Sequence, residues 1–528
     1  MWLAVFVGLA VLHTFPLVTD LGGLSRNDNA DTQLNEWIVA GVAHRLPRDP
    51  AHLFDANIFH PEPRTLAFSE HLILPALMVA PLLWLGASPV VAYNVLLILG
   101  FALTGWTTWL LVSRWTDDVW AGMLAGCLVT FNAHTLTRLP HVQAVHAEFL
   151  PLTLLALDQL LSRPSARRAW RLALWFTAQA LSSMYVMVFT ALSCVAALVV
   201  RPSDWLRQRG RLPYLAGAGL TAAVALAGIL YPYYRASVDQ GLTRSLREAA
   251  TYAATPAAYL STGGRLHYAL WSHDFYASGG DSLFPGLTAL LLAAVAVARG
   301  TAWSDERART LLALGITGVV LSFGPATPIY GWLYHIFPLL QGIRNTGRFG
   351  YMALVAVAGL AGYGLARLRL EWRDVHPRLA AAATVLAIAA VNVEAARAPM
   401  GYTPYEGISP IYDRLAGAPE AVVAEFPFPS VLRVAANGPY VLASTRHWKP
   451  LLNGYSGFTP TSYAEHAEAF AGFPDGASIA MLERRAVTHV VTHGRELREA
   501  LAAPTWRARF QEVAAVGDDR LYRFVPIP

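Results

Sequence analysis

The chain has 528 residues, 55% of them hydrophobic and only 14% charged, with a mean hydropathy of +0.39. Soluble domains of average composition carry about 25% charged residues, so a single ordinary soluble domain is excluded. The formal net charge of +5 rests on arginine, Lys449 being the one lysine; these arginines cluster in short loops between apolar runs, which points to membrane topology and away from nucleic acid.

The first apolar run, Met1 to Val18, is about long enough to span a bilayer as a helix. It lacks a charged n-region and a small-residue cleavage site, so it reads as a retained first helix. Further apolar runs follow at 72–87, 89–113, 119–132, 147–162, 172–200, 212–231, 284–298, 310–324, 349–366 and 379–393. Four arginine clusters separate them: Arg163 to Arg171, Arg201 to Arg211, Arg299 to Arg309 and Arg367 to Arg378. All four are expected on the cytoplasmic side.

Two runs need special treatment. The run 172–200 lies between two cytoplasmic clusters and must go out and return, with an outer bend at Ser182-Ser183-Met184-Tyr185. The run 72–87 breaks the parity if it crosses, and its Pro75 and Pro81 suit an interfacial or re-entrant segment. The fold class is therefore a mainly α polytopic bundle of about eleven crossings. Its N-terminus is expected on the cytoplasmic side of the membrane. Residues 1–396 form the membrane domain, with a long first outer loop at 19–88, and 397–528 a small extracytoplasmic α/β domain. In that domain Ala421 to Glu425, Val487 to Thr492 and Arg520 to Val525 read as strands and Ser478 to Arg485 as a helix. Cys127 and Cys194 both lie in apolar runs, where packing is their role.

The chemistry-bearing residues gather on the outer side. The first loop holds Asp28, Asp31 and Glu36 within nine positions, then Asp55, Asn57, His60, Glu70 and His71. A plain connector would be shorter, although any one of these carboxylates is as readily a solvated loop residue. Arg138, His141, His146 and Glu148 cluster at the mouth of a crossing. Arg344 and Arg348 stand four apart and share a face if the next helix starts early; arginine suits phosphate, with lipid headgroups or loop ion pairs as the plainer alternative. The loop 232–283 adds Arg244 and Tyr252. The stretch Trp448 to Gly457 is rich in turn formers and aromatics, and reads as a structured loop or as a contact for sugar or lipid headgroups. The span interiors carry almost no charge, unlike a secondary transporter.

The stretches Asp31-Thr32-x-Leu34-Asn35-x-Trp37, Leu53-Phe54-Asp55-Ala56-Asn57-Ile58-Phe59, Ser69-Glu70, Arg344-x-x-x-Arg348-Phe349-Gly350 and Asn453-Gly454-Tyr455-Ser456-Gly457 carry a resemblance. They resemble, in order and spacing, the GT-C superfamily of integral membrane glycosyltransferases, in particular the group of YfhO-like bacterial proteins and protein O-mannosyltransferases. The resemblance implies a polyprenyl-phosphate-linked sugar as donor, membrane lipid around the bundle, and an envelope acceptor. It makes Asp31, and after it Asp28, the catalytic carboxylates. It makes Arg344, Arg348, Arg138 and His141 the donor-phosphate residues, and Asn57, Glu70, His71 and Tyr252 the acceptor cavity. The acids here are spaced Asp28-x-x-Asp31 instead of adjacent or alternating, which leaves a divalent metal at these two residues open. A non-catalytic glycolipid-binding protein and a lipid-linked-sugar flippase are the alternatives.

Overall fold

A computed structural model describes residues 1–276 and 281–526. Helices occupy the apolar runs in order, with one more, α2, inside the first loop: α1 (Trp2–His13), α2 (Ala30–Arg45), α3 (Ile73–Trp84), α4 (Pro89–Thr116), α5 (Val119–Thr130), α6 (Phe149–Ser162), α7 (Ala166–Ser182), α8 (Met184–Val200), α9 (Leu212–Gln240), α10 (Leu287–Ala298), α11 (Glu306–Ser322), α12 (Gly350–Trp372) and α13 (Pro377–Ala395). Among the described residues, five stretches are long and apolar enough to cross a membrane: Pro89–Thr116, Val142–Ser162, Arg209–Gln240, Thr346–Trp372 and Pro377–Ala395. The helices α1, α3, α5, α8 and α10 are shorter but equally apolar. The run 172–200 is broken where the sequence indicates: Ser183 is extended (φ −159, ψ 126) and its side chain accepts from Val186 N–H to start α8. The run 72–87 folds as the twelve-residue α3 with Pro81 inside it.

By packing, the chain forms two compact units. One comprises Met1–Thr19, Val95–Gly228 and Thr243–Gly401; the other comprises Asp20–Asn94, Ile229–Leu242 and Tyr402–Pro528. The border drawn at 396/397 follows hydropathy. Packing instead groups the first loop with the C-terminal stretch, and α4 and α9 each contribute to both units.

In the first unit α12 is the central helix, packed against α5, α10 and α11. Its glycines permit this: a Cβ on Gly359 would come within 2.6 Å of Leu311 on α11, and one on Gly362 within 3.1 Å of the Ala121 carbonyl on α5. Small residues at such crossings are how apolar helices approach closely without a hydrophobic drive. At the periphery, Leu220 and Val224 on α9 are 67% and 69% exposed, and Val385 and Leu386 on α13 are 64% and 68% exposed. A continuous apolar exterior of this kind belongs in lipid.

The arginine clusters meet at one end of this unit. Asp158, on the last turn of α6 just before the first cluster, pairs with Arg201 at 2.8 Å and Arg307 at 3.0 Å. Glu371 pairs with Arg299 at 3.2 Å and Arg367 at 2.8 Å. Two carboxylates thus tie the second, third and fourth clusters to the end of α6 from which the first cluster follows. Arg348 precedes the other end of α12, which at 1.5 Å per residue is about 34 Å away.

The second unit is built on a four-stranded sheet: β3 (Val423–Phe426), β4 (His489–Thr492), β5 (Phe510–Val516) and β6 (Asp519–Phe524), in the order β3-β4-β6-β5, with β3 parallel to β4 and the other pairs antiparallel. Phe426, Leu452, Phe470, Leu482, Val490 and Phe524 form its core. A short antiparallel pair joins β1 (Leu24–Ser25) to β2 (Thr403–Pro404). Residues 450–453 run as an extended strip between two neighbours. On one side Val423 N–H donates to the Pro450 carbonyl and Leu452 N–H to the Val423 carbonyl. On the other, Leu451 N–H donates to the Asn57 carbonyl and Phe59 N–H to the Asn453 carbonyl. The first loop is therefore hydrogen-bonded into the same framework as the sheet.

Candidate active site

In the second unit the sequence-predicted catalytic carboxylate begins α2, but not as its cap. Asn29 caps the helix, its Oδ1 accepting from Asp31 N–H at 2.8 Å. Every residue of Asn27-Asp28-Asn29 can cap a helix, and the last of them does so, which puts Asp31 inside the first turn. Its carboxylate is consequently free of that duty, and Oδ1 accepts from the Tyr455 hydroxyl at 2.6 Å. Asn35, one turn on, donates to the Asp31 carbonyl at 2.7 Å.

Asp28 is placed differently. It is exposed, and Arg26 grips both its oxygens at 3.0 and 3.1 Å. The Arg26 hydrogen bond holds the Asp28 carboxyl below its ordinary value. Glu36, on the same helix as Asp31, is fully buried and accepts from the Ser25 hydroxyl at 3.1 Å. Burial pushes it up to about 8, so it is protonated at neutral pH. A divalent cation needs several oxygen ligands. With Asp28 committed to Arg26, and no group of three or more His, Cys, Asp or Glu among the described residues placed to hold a metal, the side chains do not fit one.

The Tyr455 loop is shaped to reach Asp31. A Cβ on Gly454 would strike the Phe59 ring, and one on Gly457 would lie 2.7 Å from the Phe68 carbonyl. Only glycine permits this approach, which carries Tyr455 along the first loop. Of the expected cavity residues, Asn57 is a clasp: Oδ1 accepts from Trp37 Nε1 at 3.1 Å and Nδ2 donates to the Lys449 carbonyl at 3.1 Å. His71 is buried; its Nδ1 accepts from Ile73 N–H at the start of α3, and burial pushes its pKa down to about 4. Glu70 is buried beside it, and the neighbouring Ser69 carbonyl accepts from the Tyr233 hydroxyl at 2.8 Å.

In the first unit the basic residues converge, along with Tyr252. Arg344 and Arg348 do not share a helical face. Asn345 accepts from Arg348 N–H and starts a single 3-10 turn, Thr346–Phe349, so the α-helix begins only at Gly350. They converge through aromatics instead. The Arg344 guanidinium lies 5.0 Å from the Tyr252 ring centre and that of Arg348 lies 4.7 Å from the Tyr185 ring centre. The Tyr185 hydroxyl accepts from Arg344 N–H at 3.2 Å. Such stacking holds a guanidinium plane while leaving its edge for an anion. Arg348 Nε is buried with no hydrogen-bond partner among the described residues.

Arg138 is ion-paired with Asp281, and His134 Nδ1 lies 3.6 Å from the same carboxylate. Burial, and then the charges of Arg138, Arg348 and His141, push His134 well below its ordinary value, which places all three in one electrostatic neighbourhood. Arg244 joins from the following loop, paired with Glu248 at 2.8 Å and repelled by Arg344. His146 and Glu148 correct the expected basic mouth. They turn inward as a buried pair at 2.9 Å, with His146 Nε2 on the Leu96 carbonyl. Tyr185 and Asp281 escape sequence reasoning. The Ser-Ser break that delivers Tyr185 is visible, but its target is not, and Asp281 lies in a stretch of sequence with no periodic signal.

No protein-family model matches the chain, and no curated protein does. Solved structures share its fold. The mycobacterial arabinofuranosyltransferase AftD, seen by cryo-EM, superposes with a TM-score of 0.62 at 13% identity, over 100% of this chain and 40% of its own. This chain thus spans well under half the length of that enzyme. ArnT from Cupriavidus metallidurans bound to undecaprenyl phosphate superposes with a TM-score of 0.51 at 13% identity, over 99% and 97% of the two chains. The apo oligosaccharyltransferase of Archaeoglobus fulgidus gives 0.50 at 14% identity, over 97% and 72%. All three are GT-C membrane glycosyltransferases, and the fold of this chain is theirs.

Proposed function

We propose that this GT-C-fold membrane protein transfers a sugar from a polyprenyl-phosphate-linked donor to an envelope acceptor on the extracytoplasmic face. The observation that carries the reading is Asp31, an ionisable group in the first turn of the helix after α1, with its carboxylate aimed by Tyr455. The undecaprenyl phosphate bound to the structurally similar ArnT supports the donor class. Asp31 takes the proton of an acceptor hydroxyl. The hydroxyl oxygen forms a bond to the anomeric carbon as the bond from that carbon to the lipid phosphate breaks. The bonding pair leaves on the phosphate, whose charge Arg344 and Arg348 offset, with Arg138 and His141 adding to the local positive potential. Arg348 Nε–H, a buried donor without a partner, gains one in a phosphate oxygen.

In this reading the four arginine clusters face the cytoplasm, about eleven segments cross, and residues 397–528 lie outside. The hydropathic border near 397 marks where the chain leaves the membrane for good. The decisive experiment uses purified protein with a polyprenyl-phosphate-linked sugar pool and an envelope extract as acceptor. Asp31→Asn keeps the shape and removes the charge; it should abolish most transfer and leave donor binding intact. Full transfer by Asp31→Asn would overturn the assignment, and absence of transfer by the native protein would favour a glycolipid-binding role.

A further inference from the structure

The second unit holds a cavity that takes no part in the proton transfer or the phosphate contacts. About 220 Å³ of space lies along the face of α2 that carries Trp37, Gly41, His44 and Arg45, closed by Trp448. It opens beside a wider groove that shares His44, Arg48 and Trp448 with it and is flanked by Trp84, Tyr405 and Arg446.

Trp448 is held there against its backbone preference. Its φ is +54, in the left-handed region, a genuine outlier for a bulky residue. Such strain persists where the surroundings fix it, and it concentrates at binding sites. Here the Trp448 N–H donates to the Ser444 carbonyl at 2.8 Å, and its indole stacks on His44 at 4.8 Å and 21° with its edge against Gly41. Asn57 fixes the other wall by bridging Trp37 and the Lys449 carbonyl. Burial, with the charges of Arg48 and Arg45, pushes His44 down to about 4. The stack is therefore neutral and favours an uncharged ring face.

Charge defines the rest of the ligand. Arg45 and Arg48 line the cavity, and neither has a carboxylate within ion-pair distance among the described residues. The one acid in the lining, Asp49, is taken by His52 at 2.9 Å. Arg45 Nη1 donates to the His52 carbonyl at 3.1 Å and Arg48 Nη1 to the His44 carbonyl at 2.6 Å, so each guanidinium is held in place with its charge unneutralised. A flat aromatic wall, a space the size of one ring and two guanidiniums without a carboxylate partner among the described residues describe the recognition of a sugar that carries an acid group.

We infer that Trp448 and Arg48 form an acceptor subsite for an anionic saccharide, a uronate or a phosphorylated sugar. The inference rests on the glycosyl-transfer reading and gives that reaction its acceptor class. The test reads binding alone, so that its failure leaves the transfer reading standing. Full-length protein in detergent is titrated with trigalacturonate and, in parallel, with neutral maltotriose, and contact is read by saturation-transfer NMR. Trigalacturonate should bind and maltotriose should bind at least about tenfold more weakly, as expected for a charge-assisted contact. Trp448→Ala and the exposed-site variant Arg48→Ala should each weaken trigalacturonate by about tenfold or more. Arg48→Ala keeps the test meaningful if Trp448→Ala fails to fold. No trigalacturonate binding, or native affinity in Arg48→Ala, would overturn the subsite. Binding of phosphatidylglycerol nanodiscs that depends on Arg48, with no trigalacturonate binding, would assign the groove to lipid headgroups and overturn it equally.

Discussion

The Tyr455 hydroxyl donates a 2.6 Å hydrogen bond to Asp31 Oδ1 across 424 residues of sequence. A hydrogen bond to a charged group is worth about 1.5–3 kcal/mol, and here its main product is direction: it fixes the orientation of the Asp31 carboxylate. Tyr455→Phe should therefore slow transfer by about ten- to a hundred-fold with donor affinity unchanged. Rates at saturating donor measure it; a native rate would show that Asp31 needs no aiming.

Asp28→Asn should cost much less than Asp31→Asn. Asp28 already has both oxygens on Arg26, and an exposed pair of this kind contributes about 0–1 kcal/mol. Side-by-side transfer assays of the two variants check the ranking. A dead Asp28→Asn with an active Asp31→Asn would reverse it.

Donor binding should divide the arginines into two kinds. Arg344→Ala and Arg348→Ala each remove a stacked guanidinium and should weaken a polyprenyl-phosphate probe by about ten- to a hundred-fold. Arg348→Lys should not rescue, because a lysine cannot both lie over Tyr185 and present a planar edge. Arg138→Ala should instead lower thermal stability, because it leaves Asp281 buried without its cation. Unchanged donor affinity in Arg344→Ala and Arg348→Ala together would remove the phosphate from this cluster.

Glu36 sets part of the stability profile. Its folded pKa of about 8 lies above its ordinary value, so the folded state keeps a proton that the unfolded chain gives up. Stability therefore falls as pH rises through the window from about 4.5 to 8. Glu36→Gln should raise the midpoint of thermal unfolding near pH 8 and flatten that part of the profile. An unchanged slope would mean that Glu36 titrates as an exposed acid.

His493 acts in a higher window. Burial alone would lower its pKa. Hydrogen bonds to Asp519 at 2.9 Å and Glu425 at 3.0 Å outweigh this and raise it to about 9. The imidazolium thus contributes stability that is complete below about pH 6.5 and is lost as pH rises through about 9. Thermal unfolding of His493→Gln should show lower stability at neutral pH and a smaller decline towards pH 9. If the native protein is equally stable across that window, the imidazolium is not formed.

Hydropathy and arginine placement made most of the helical framework legible, down to the break at Ser183, because a run between two basic loops has to turn. Local signals failed where neighbours competed. Asn29, one of three residues able to cap α2, takes the cap and leaves Asp31 in the first turn, and Asn345 diverts Arg348 into a 3-10 turn. Strand β5 was missed because most of its residues are exposed and not regularly alternating. The convergence of Arg344, Arg348 and Tyr252 around Tyr185, and the reach of Tyr455 to Asp31, lie in no local pattern: each joins residues a hundred or more positions apart, or on different loops, and is set by packing.

The strip at 450–453 bears on how parts of such proteins can be exchanged. It is stitched to the first loop on one edge and to β3 on the other, so the first loop and the tail form one heritable cassette. A chimera that swaps only the tail after residue 401 would keep Asp31 while replacing Tyr455 and the glycines that deliver it. Grafting 20–94 together with 402–528 moves the acid and its aiming hydroxyl as a set. Acceptor preference should travel with that pair of segments, while donor preference stays with the arginines of the recipient.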